Sequence, residues 1–286
     1  MTPRVTKTSR KPRNLGKTGK AGVDSYGVTA KHYDAAYATK QDLVDLPFYI
    51  DLAKASGGPV LEIACGTGRV LLPIAREGIA IEGVDNSLPM LRILKSHIEK
   101  ERSGIRRRIT LHEGDMRDFR LRKKFPLVII PFRPLQHMYT VDDQLRALTT
   151  AAFHLTKEGI LAFDVFYPKM ELISAGIGQE IVDLEWQANP DSTVRRYFRK
   201  DSVDKINQVF SFTFIFRTYQ GDKLVLEESE PFQLSYYTYP HLKALFRLAR
   251  LEPVEEYGSF AKTPLDNTAE QMIFLLKRPN RSDAVA

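Results

Sequence analysis

Two glycines, Gly66 and Gly68, follow a short apolar run at residues 59–64 and precede a helical pattern at about 69–77. The apolar run predicts a buried parallel strand, so the glycines form a turn between a strand and a helix. Glycine permits a sharp turn and lets a ligand approach the backbone without a Cβ atom in the way. The free N–H groups at the start of the helix point toward such a ligand. This stretch therefore predicts a nucleotide-type binding site.

The spacing of the glycines excludes two common nucleotide-binding loops. A dinucleotide fingerprint requires a third glycine at the position that Leu71 occupies in this chain. A P-loop requires G-x-x-x-x-G-K-[ST], and no such sequence surrounds this strand. The ligand must therefore be inferred from the strands that follow.

The second predicted strand, 79–85, ends in the carboxylate of Asp85. In a doubly wound sheet this carboxylate lies at the carboxyl edge beside the first strand, where it can accept both hydroxyls of a ribose. Alternatively, Asp85 only caps the helix that follows Asn86 and Ser87. Two further predicted strands, 109–113 and 126–130, end at the segments EGDMRDF and PFRPLQH.

These strand ends together resemble the motifs of the class I S-adenosylmethionine (SAM) methyltransferases, in the segments EIACGTG, GVDNSLPML, EGDMRDF and PFRPLQH. The last segment is similar to that of small-molecule methyltransferases, including amino-sugar N-methyltransferases. The resemblance covers about residues 30–166 and, loosely, 240–277. It implies an α/β fold with a Rossmann-like, doubly wound, seven-stranded and mostly parallel sheet. It also implies SAM as the cofactor and in-line methyl transfer to an N or O nucleophile of a small molecule.

The resemblance assigns cofactor binding to a set of residues along the carboxyl edge of the sheet: Tyr33, Glu62, Ala64, Gly66, Gly68, Arg69, Asp85, Asn86, Asp115, Met116 and Pro131. It implies that Glu62 lies near the methionine amino group, and that Asp115 and Met116 contact the adenine. Tyr33 belongs to a lead-in segment that folds over the cofactor in relatives or else packs on the core. Arg69 either pairs with the methionine carboxylate or begins the helix facing solvent.

Two residues after the fourth strand are catalytic candidates. The resemblance places a histidine at the position of His137, and a group that titrates near neutrality could take a proton from the nucleophile. Its alternative role is to anchor the cofactor or backbone without proton transfer. Arg133 could orient an acidic substrate group or structure the loop. No metal site is expected, because no paired His and carboxylates occur at ligand spacing.

The composition changes after Pro168, where period-2 stretches at 194–199 and 209–216 predict three or four antiparallel strands. These strands interrupt the α/β pattern and are expected to form a cap over the substrate. The predicted organisation is a disordered basic tail at 1–23, a SAM-binding core at 24–168, an antiparallel β insertion at 169–239, the C-terminal part of the core at 240–278 and a flexible tail at 279–286.

Charge and cysteine content limit the possible partners. The net charge of +7 resides in residues 1–22, which hold seven basic residues and no acidic one. That segment could contact RNA, so an RNA methyltransferase is one alternative, although PFRP differs from the N-P-P-[YF] of many nucleic-acid amino methyltransferases. A non-catalytic scaffold is another, although the cofactor motifs are retained. One cysteine and no apolar run of membrane-spanning length indicate a cytoplasmic protein with no membrane partner. A monomer and a homodimer are both open, because the sequence does not fix the oligomeric state.

Overall fold

The computed structural model describes residues 26–38, 44–170, 173 and 175–279, and the tails predicted at 1–23 and 279–286 lie outside these ranges except for residue 279. The strands are β1 (Val60–Ile63), β2 (Ile81–Asp85), β3 (Ile109–Glu113), β4 (Phe125–Ile130), β5 (Leu155–Phe166), β6 (Glu180–Asn189), β7 (Ser192–Asp204), β8 (Val209–Gln220), β9 (Lys223–Ser235), β10 (Glu252–Tyr257) and β11 (Gln271–Lys277). The helices are α1 (Thr29–Ala38), α2 (Asp45–Ser56), α3 (Leu71–Arg76), α4 (Leu88–Lys100), α5 (Ser103–Arg106), α6 (Val141–Phe153) and α7 (Tyr239–Leu248), with a 3₁₀ helix, η1 (Pro134–His137).

The core is a seven-stranded sheet in the order β3-β2-β1-β4-β5-β11-β10. Strands β1 to β5 are parallel, and β11 pairs antiparallel with both β5 and β10. The predicted Rossmann-like, mostly parallel sheet is therefore confirmed. All four residues of β1 are buried, because helices cover both faces of the sheet centre. The carboxyl ends of β1 to β5 meet at one edge, which brings the predicted motifs together.

Strand β5 is longer than the sequence predicted. The pattern T-K-E-G at 156–159 predicts a turn before a fifth strand at Ile160–Phe166, but these residues lie within β5, which begins at Leu155. The register with β4 shifts here, because Phe125 pairs with Leu155 while Leu127 pairs with Ile160. A Cβ on Gly159 would lie 2.8 Å from the carbonyl oxygen of Phe125, so glycine is needed for this close backbone approach and does not mark a turn.

Two predicted helices also differ from the structure. The helix expected from about residue 69 begins at Leu71, because the turn after the glycines continues through Val70. The basic stretch at 95–108 is divided between α4 and the short helix α5. The capping prediction for α4 is confirmed at Ser87, whose hydroxyl accepts the N–H of Met90 at 3.5 Å.

Strands β6 to β9 form a separate four-stranded antiparallel sheet, which we call the cap sheet. The prediction of antiparallel strands inserted after the fifth core strand is confirmed. Its inner face carries Phe210, Phe212 and Phe232, which pack in a buried cluster with Ile173 and contact Phe166 at the end of β5. The cap sheet therefore lies against the carboxyl edge of the core sheet, next to the ends of the parallel strands.

Helix α1 contacts both the cap sheet and the core. Glu230 of β9 accepts the backbone N–H of Thr29 at 2.7 Å, which supplies the first turn of α1 with an acceptor from another element. The imidazole of His32 stacks on Phe216 of β8 with ring centroids 4.5 Å apart. At the core side, the hydroxyl of Thr67 donates to Asp34 at 2.7 Å. These contacts hold α1 over the glycine-rich turn.

Candidate functional site

The turn after β1 has a left-handed backbone at three positions, with φ of 59° at Ala64, 53° at Gly66 and 87° at Gly68. A Cβ on Gly68 would lie 2.3 Å from Cδ1 of Leu94, so glycine is required for the packing of the turn on α4. A Cβ on Gly66 would meet no other heavy atom of the described chain within 4 Å, apart from its chain neighbours. The open side of the turn at Gly66 therefore leaves space for a ligand against the backbone.

Asp85 joins the glycine-rich turn to the start of α4. One carboxylate oxygen accepts the N–H of Gly66 at 2.8 Å, and the other accepts the N–H of Ser87 at 2.8 Å. Burial raises the pKa of Asp85, and the backbone donors partly offset this effect. The local capping alternative is thus present in the structure. Because each carboxylate oxygen has a further lone pair, ribose binding by Asp85 stays a prediction. The adjacent Asn86 is exposed.

The buried side chain of Glu62 shows whether the carboxyl edge of the core sheet is suited to SAM. Its side chain is 2% exposed, and its Oε2 atom has no hydrogen-bond partner among the described residues. Burial raises the pKa of Glu62, while the nearby Arg69 lowers it. A buried carboxyl oxygen without a donor is costly, so an ammonium group placed here would satisfy it. With the open face of Gly66, this orphaned oxygen fits the amino-acid end of SAM.

Arg69 does not face solvent, so that alternative for its role is wrong. Its guanidinium donates to both oxygens of Asp45 at 2.9 and 2.5 Å and lies 4.6 Å from the ring centroid of Phe132. Pairing with the methionine carboxylate stays a prediction, with Asp45 as the partner in this structure. Tyr33 of α1 packs on Tyr37 with ring centroids 4.5 Å apart. Tyr33, Gly68 and Arg69 line one cavity of about 260 Å³.

The predicted adenine residues lie after β3. Both oxygens of Asp115 accept from the guanidinium of Arg117, at 2.9 and 2.6 Å, and these bonds lower the pKa of Asp115 despite its partial burial. Met116 is buried in the same apolar cluster as Val84 and Phe119. Sequence reasoning missed Arg117, although an arginine two residues beyond an aspartate in a turn is a recognisable ion-pair spacing. The adenine roles of Asp115 and Met116 stay predictions.

The segment after β4 carries Pro131 and both catalytic candidates. Pro131 is buried, and Phe132 and Arg133 follow with φ of 68° and 70°. The N–H of Phe132 donates to Asp164 at 2.8 Å, and Nε of Arg133 lies 4.0 Å from the other oxygen of Asp164.

His137 ends η1 and is paired with Tyr26. Its Nε2 atom lies 2.7 Å from the hydroxyl of Tyr26, and burial lowers the pKa of His137 to about 4. The imidazole is therefore neutral at neutral pH and accepts a hydrogen bond from the Tyr26 hydroxyl. No sequence motif assigns a role to Tyr26. Its proximity to His137 depends on contacts between distant parts of the chain.

A cavity of about 390 Å³ lies between the carboxyl edge of the core sheet and the cap sheet. Four aromatic side chains line it: Phe166, Tyr167, Phe198 and Phe210. Ile173 is also apolar, and the polar or charged lining residues are Arg133, Lys169, Lys200, Glu270 and Gln271. Glu270 pairs with Lys169 at 2.9 Å, so the lining carries an excess of positive charge. Of the two catalytic candidates, Arg133 lines this cavity.

No group of three or more His, Cys, Asp or Glu side chains within the described ranges could hold a metal ion. In the same part of the chain, no helix has the length and apolar character needed to cross a membrane.

Comparison with known proteins agrees with this geometry. Residues 60–159 match the family described as "Methyltransferase domain". A dTDP-3-amino-3,4,6-trideoxy-alpha-D-glucopyranose N,N-dimethyltransferase from Streptomyces venezuelae is 30% identical over 130 residues, which cover 46% of this chain and 50% of that protein. The cypemycin N-terminal methyltransferase from Streptomyces sp. is 25% identical over 222 residues, which cover 78% of this chain and 84% of that protein.

The fold also matches a solved structure. The CcbJ methyltransferase from Streptomyces caelestis superposes with a TM-score of 0.74 at 21% identity and covers 91% of this chain and 100% of that one. In sequence, the chain spans about half the length of the curated amino-sugar N,N-dimethyltransferases that it matches. Residues 60–159, which match the family model, contain the glycine-rich turn.

Proposed function

We propose that this protein N-methylates a small amine with SAM as the methyl donor, and that an amino sugar is the first candidate, because residues 60–159 match the family described as "Methyltransferase domain" and amino-sugar methyltransferases are among the relatives. Amino-sugar and peptide N-terminal methyltransferases are both among its relatives. The acceptors in those names share one chemical feature, an amine with a nucleophilic lone pair. N-methylation is therefore favoured over the O-methylation that the sequence left open.

The observation that carries this proposal is the 390 Å³ cavity under the cap sheet. Its volume lies within the range of about 300–1,000 Å³ that is typical of small-molecule sites. Aromatic walls suit the apolar faces of a sugar or base, and the basic side chains suit an anionic substituent such as a nucleoside diphosphate. Arg133 lines the cavity and adjoins Phe132, which packs on Arg69 of the predicted cofactor site.

The residues at the carboxyl edge have separate roles in this proposal. Glu62 receives the amino group of SAM, Asp85 the ribose hydroxyls and Asp115 the adenine amino group. When bound, SAM supplies an electrophilic methyl group on a sulfonium leaving group. The protein orients the amine and excludes water, effects that are worth roughly 7–11 kcal/mol in well-aligned reactions. Because burial lowers the pKa of His137 to about 4, a proton taken from the acceptor would not stay on its imidazole at neutral pH. In this proposal His137 therefore orients the acceptor, through its hydrogen bond with Tyr26.

Calorimetric titration with SAM and with S-adenosylhomocysteine tests the cofactor role first. We expect micromolar binding by the wild type and at least about tenfold weaker binding by Asp85→Ala, since charge-assisted hydrogen bonds contribute about 1.5–3 kcal/mol. If the folded wild type binds neither compound, the enzyme proposal fails and a scaffold role takes its place.

A methyl-transfer assay then tests the acceptor. We expect transfer from labelled SAM to a dTDP-linked amino sugar and no transfer to the matched sugar that has a hydroxyl in place of the amine. Transfer to the hydroxyl sugar would contradict N-methylation, and transfer to RNA alone would contradict a small-molecule acceptor.

A peptide N-terminus is a second candidate acceptor. The cypemycin N-terminal methyltransferase aligns with this chain over 84% of its own length, which includes more than the cofactor-binding domain. A short peptide with a free α-amine, compared with the same peptide after acetylation, tests this candidate in the same assay. Transfer to the free peptide and not to amino sugars would favour it.

A further inference from the structure

Two consecutive residues after β4, Phe132 and Arg133, have left-handed backbone conformations with φ of 68° and 70°. Residues other than glycine rarely adopt this backbone conformation, because their Cβ atom approaches the following carbonyl oxygen. Two such residues in succession persist only where the surrounding structure determines them strongly, and such strain is concentrated at functional sites. The contacts that hold this pair are therefore of functional interest.

The buried carboxylate of Asp164, at the end of β5, makes these contacts. It is 2% exposed, accepts the N–H of Phe132 at 2.8 Å and lies 4.0 Å from Nε of Arg133. The same oxygen that binds Phe132 also accepts the hydroxyl of Tyr49 at 2.7 Å. Tyr49 is a fully buried residue of α2, so Asp164 is held from the side opposite the loop.

The side chains of the left-handed pair belong to two different parts of the site. The ring of Phe132 contacts the guanidinium of Arg69 at 4.6 Å and the edge of Tyr37 at 5.1 Å, on the predicted cofactor side. The guanidinium of Arg133 lies 5.9 Å from the ring of Phe166 and lines the cavity under the cap sheet. The pair is thus the partition between the cofactor site and the acceptor cavity.

We propose that Asp164 is a positioning residue that fixes this partition, through its hydrogen bond to Phe132 and its charge beside Arg133. This inference rests on the proposed methyltransferase function. A partition set by Asp164 fixes Arg133 relative to Phe132, and hence the acceptor relative to the cofactor. Arg133 also directly precedes η1, so the same contact sets the start of the helix that carries His137.

Three substitutions separate this role from simple core packing. Asp164→Asn keeps an oxygen acceptor for Phe132 but removes the charge beside Arg133. Asp164→Leu removes both the acceptor for Phe132 and the charge beside Arg133, and replaces them with an apolar side chain of similar volume. Tyr49→Phe is the matched control, because it deletes the other hydrogen bond of the same carboxylate and leaves the contact to the loop intact.

We expect Asp164→Asn to bind SAM within about twofold of the wild type but to raise the KM for the acceptor about tenfold, since only the charge beside Arg133 is lost. Asp164→Leu leaves a buried N–H unsatisfied, so we expect kcat to fall about 10- to 100-fold. Tyr49→Phe should change neither KM nor kcat by more than about twofold.

The proposal is overturned if Asp164→Asn and Tyr49→Phe have the same kinetic effect, because Asp164 would then matter only to the core. Folding of the leucine variant is not required for that comparison. Hydrogen exchange of residues 131–138 needs no acceptor and should be faster in Asp164→Asn than in Tyr49→Phe. If no acceptor is methylated but this exchange difference is found, the proposed function fails and the role of Asp164 stands.

Discussion

Alanine substitution at the two glycines of the turn after β1 should affect two different properties, the stability of the fold at Gly68 and cofactor binding at Gly66. Gly68 has φ of 87°, and an added Cβ would lie 2.3 Å from Cδ1 of the fully buried Leu94. Gly66 has φ of 53°, and an added Cβ would project into open space. We therefore expect Gly68→Ala to destabilise the fold and Gly66→Ala to impair cofactor binding.

The magnitudes follow from two effects. A left-handed conformation costs a residue with a Cβ about 1–2 kcal/mol, and this applies to both positions. At Gly68, overpacking against Leu94 adds about 1–3 kcal/mol, because the buried side chain cannot rotate away freely. The free energy of unfolding should therefore fall by about 2–5 kcal/mol for Gly68→Ala and by only about 1–2 kcal/mol for Gly66→Ala. The Cβ at Gly66 should weaken SAM binding at least about tenfold.

Urea denaturation and calorimetry with SAM measure the two quantities separately. Combining Gly68→Ala with Leu94→Ala provides an internal control, since the second substitution removes the colliding atom. In the Leu94→Ala background, Gly68→Ala should cost less than in the wild type, because only the left-handed backbone, about 1–2 kcal/mol, and the close contact with Cγ of Leu72 at 3.3 Å still oppose it. The reasoning is refuted if both alanine variants lose equal stability, or if Gly66→Ala binds SAM as tightly as the wild type.

Four further predictions concern single side chains. Asp85→Asn should weaken SAM binding in calorimetry and also lower the melting temperature, because its amide nitrogen cannot accept one of the two backbone N–H groups that the carboxylate accepts at 2.8 Å. His137→Gln should lower kcat by about fivefold without changing SAM affinity, because it disturbs the hydrogen bond with the Tyr26 hydroxyl, worth about 1 kcal/mol, and wild-type kcat should show no titration of His137 above pH 5, because burial lowers its pKa to about 4. Glu230→Ala removes the acceptor for the N–H of Thr29, so proteolysis within α1 should accelerate, with a loss of about 1–2 kcal/mol. Burial raises the pKa of Asp164 from 3.8 to about 6, so its contribution to stability is complete below about pH 4 and is lost as the pH rises through about 6. Relative to Asp164→Asn, the wild-type free energy of unfolding should therefore fall by roughly 3 kcal/mol between pH 4 and pH 7, measured by denaturation at each pH.

The sequence predicted the elements that depend on local patterns. Apolar runs of four to six residues placed the parallel strands, and the polar residues after them placed Glu62, Gly66 and Asp85 at one edge. Period-2 alternation placed the antiparallel strands of the cap sheet. These features could be predicted because a strand's side-chain periodicity and the direction of a parallel sheet are properties of short segments.

The partners of the charged and polar side chains could not be predicted in this way. Nothing near residue 69 identifies Asp45 as the partner of Arg69, and residues 26 and 137 are joined only because the turn before α1 packs beside η1. Hydrogen bonds and ion pairs act over a few ångströms, so their partners depend on how distant segments pack.

The sequence by itself determined the class of fold, the glycine-rich turn and the acidic residues along the carboxyl edge. Only the tertiary structure decided that Asp164 holds the left-handed pair Phe132 and Arg133 and that a cavity lies under the cap sheet. The physical reason is that a local pattern specifies which face of an element is buried, whereas the packing of elements specifies what each buried polar group meets.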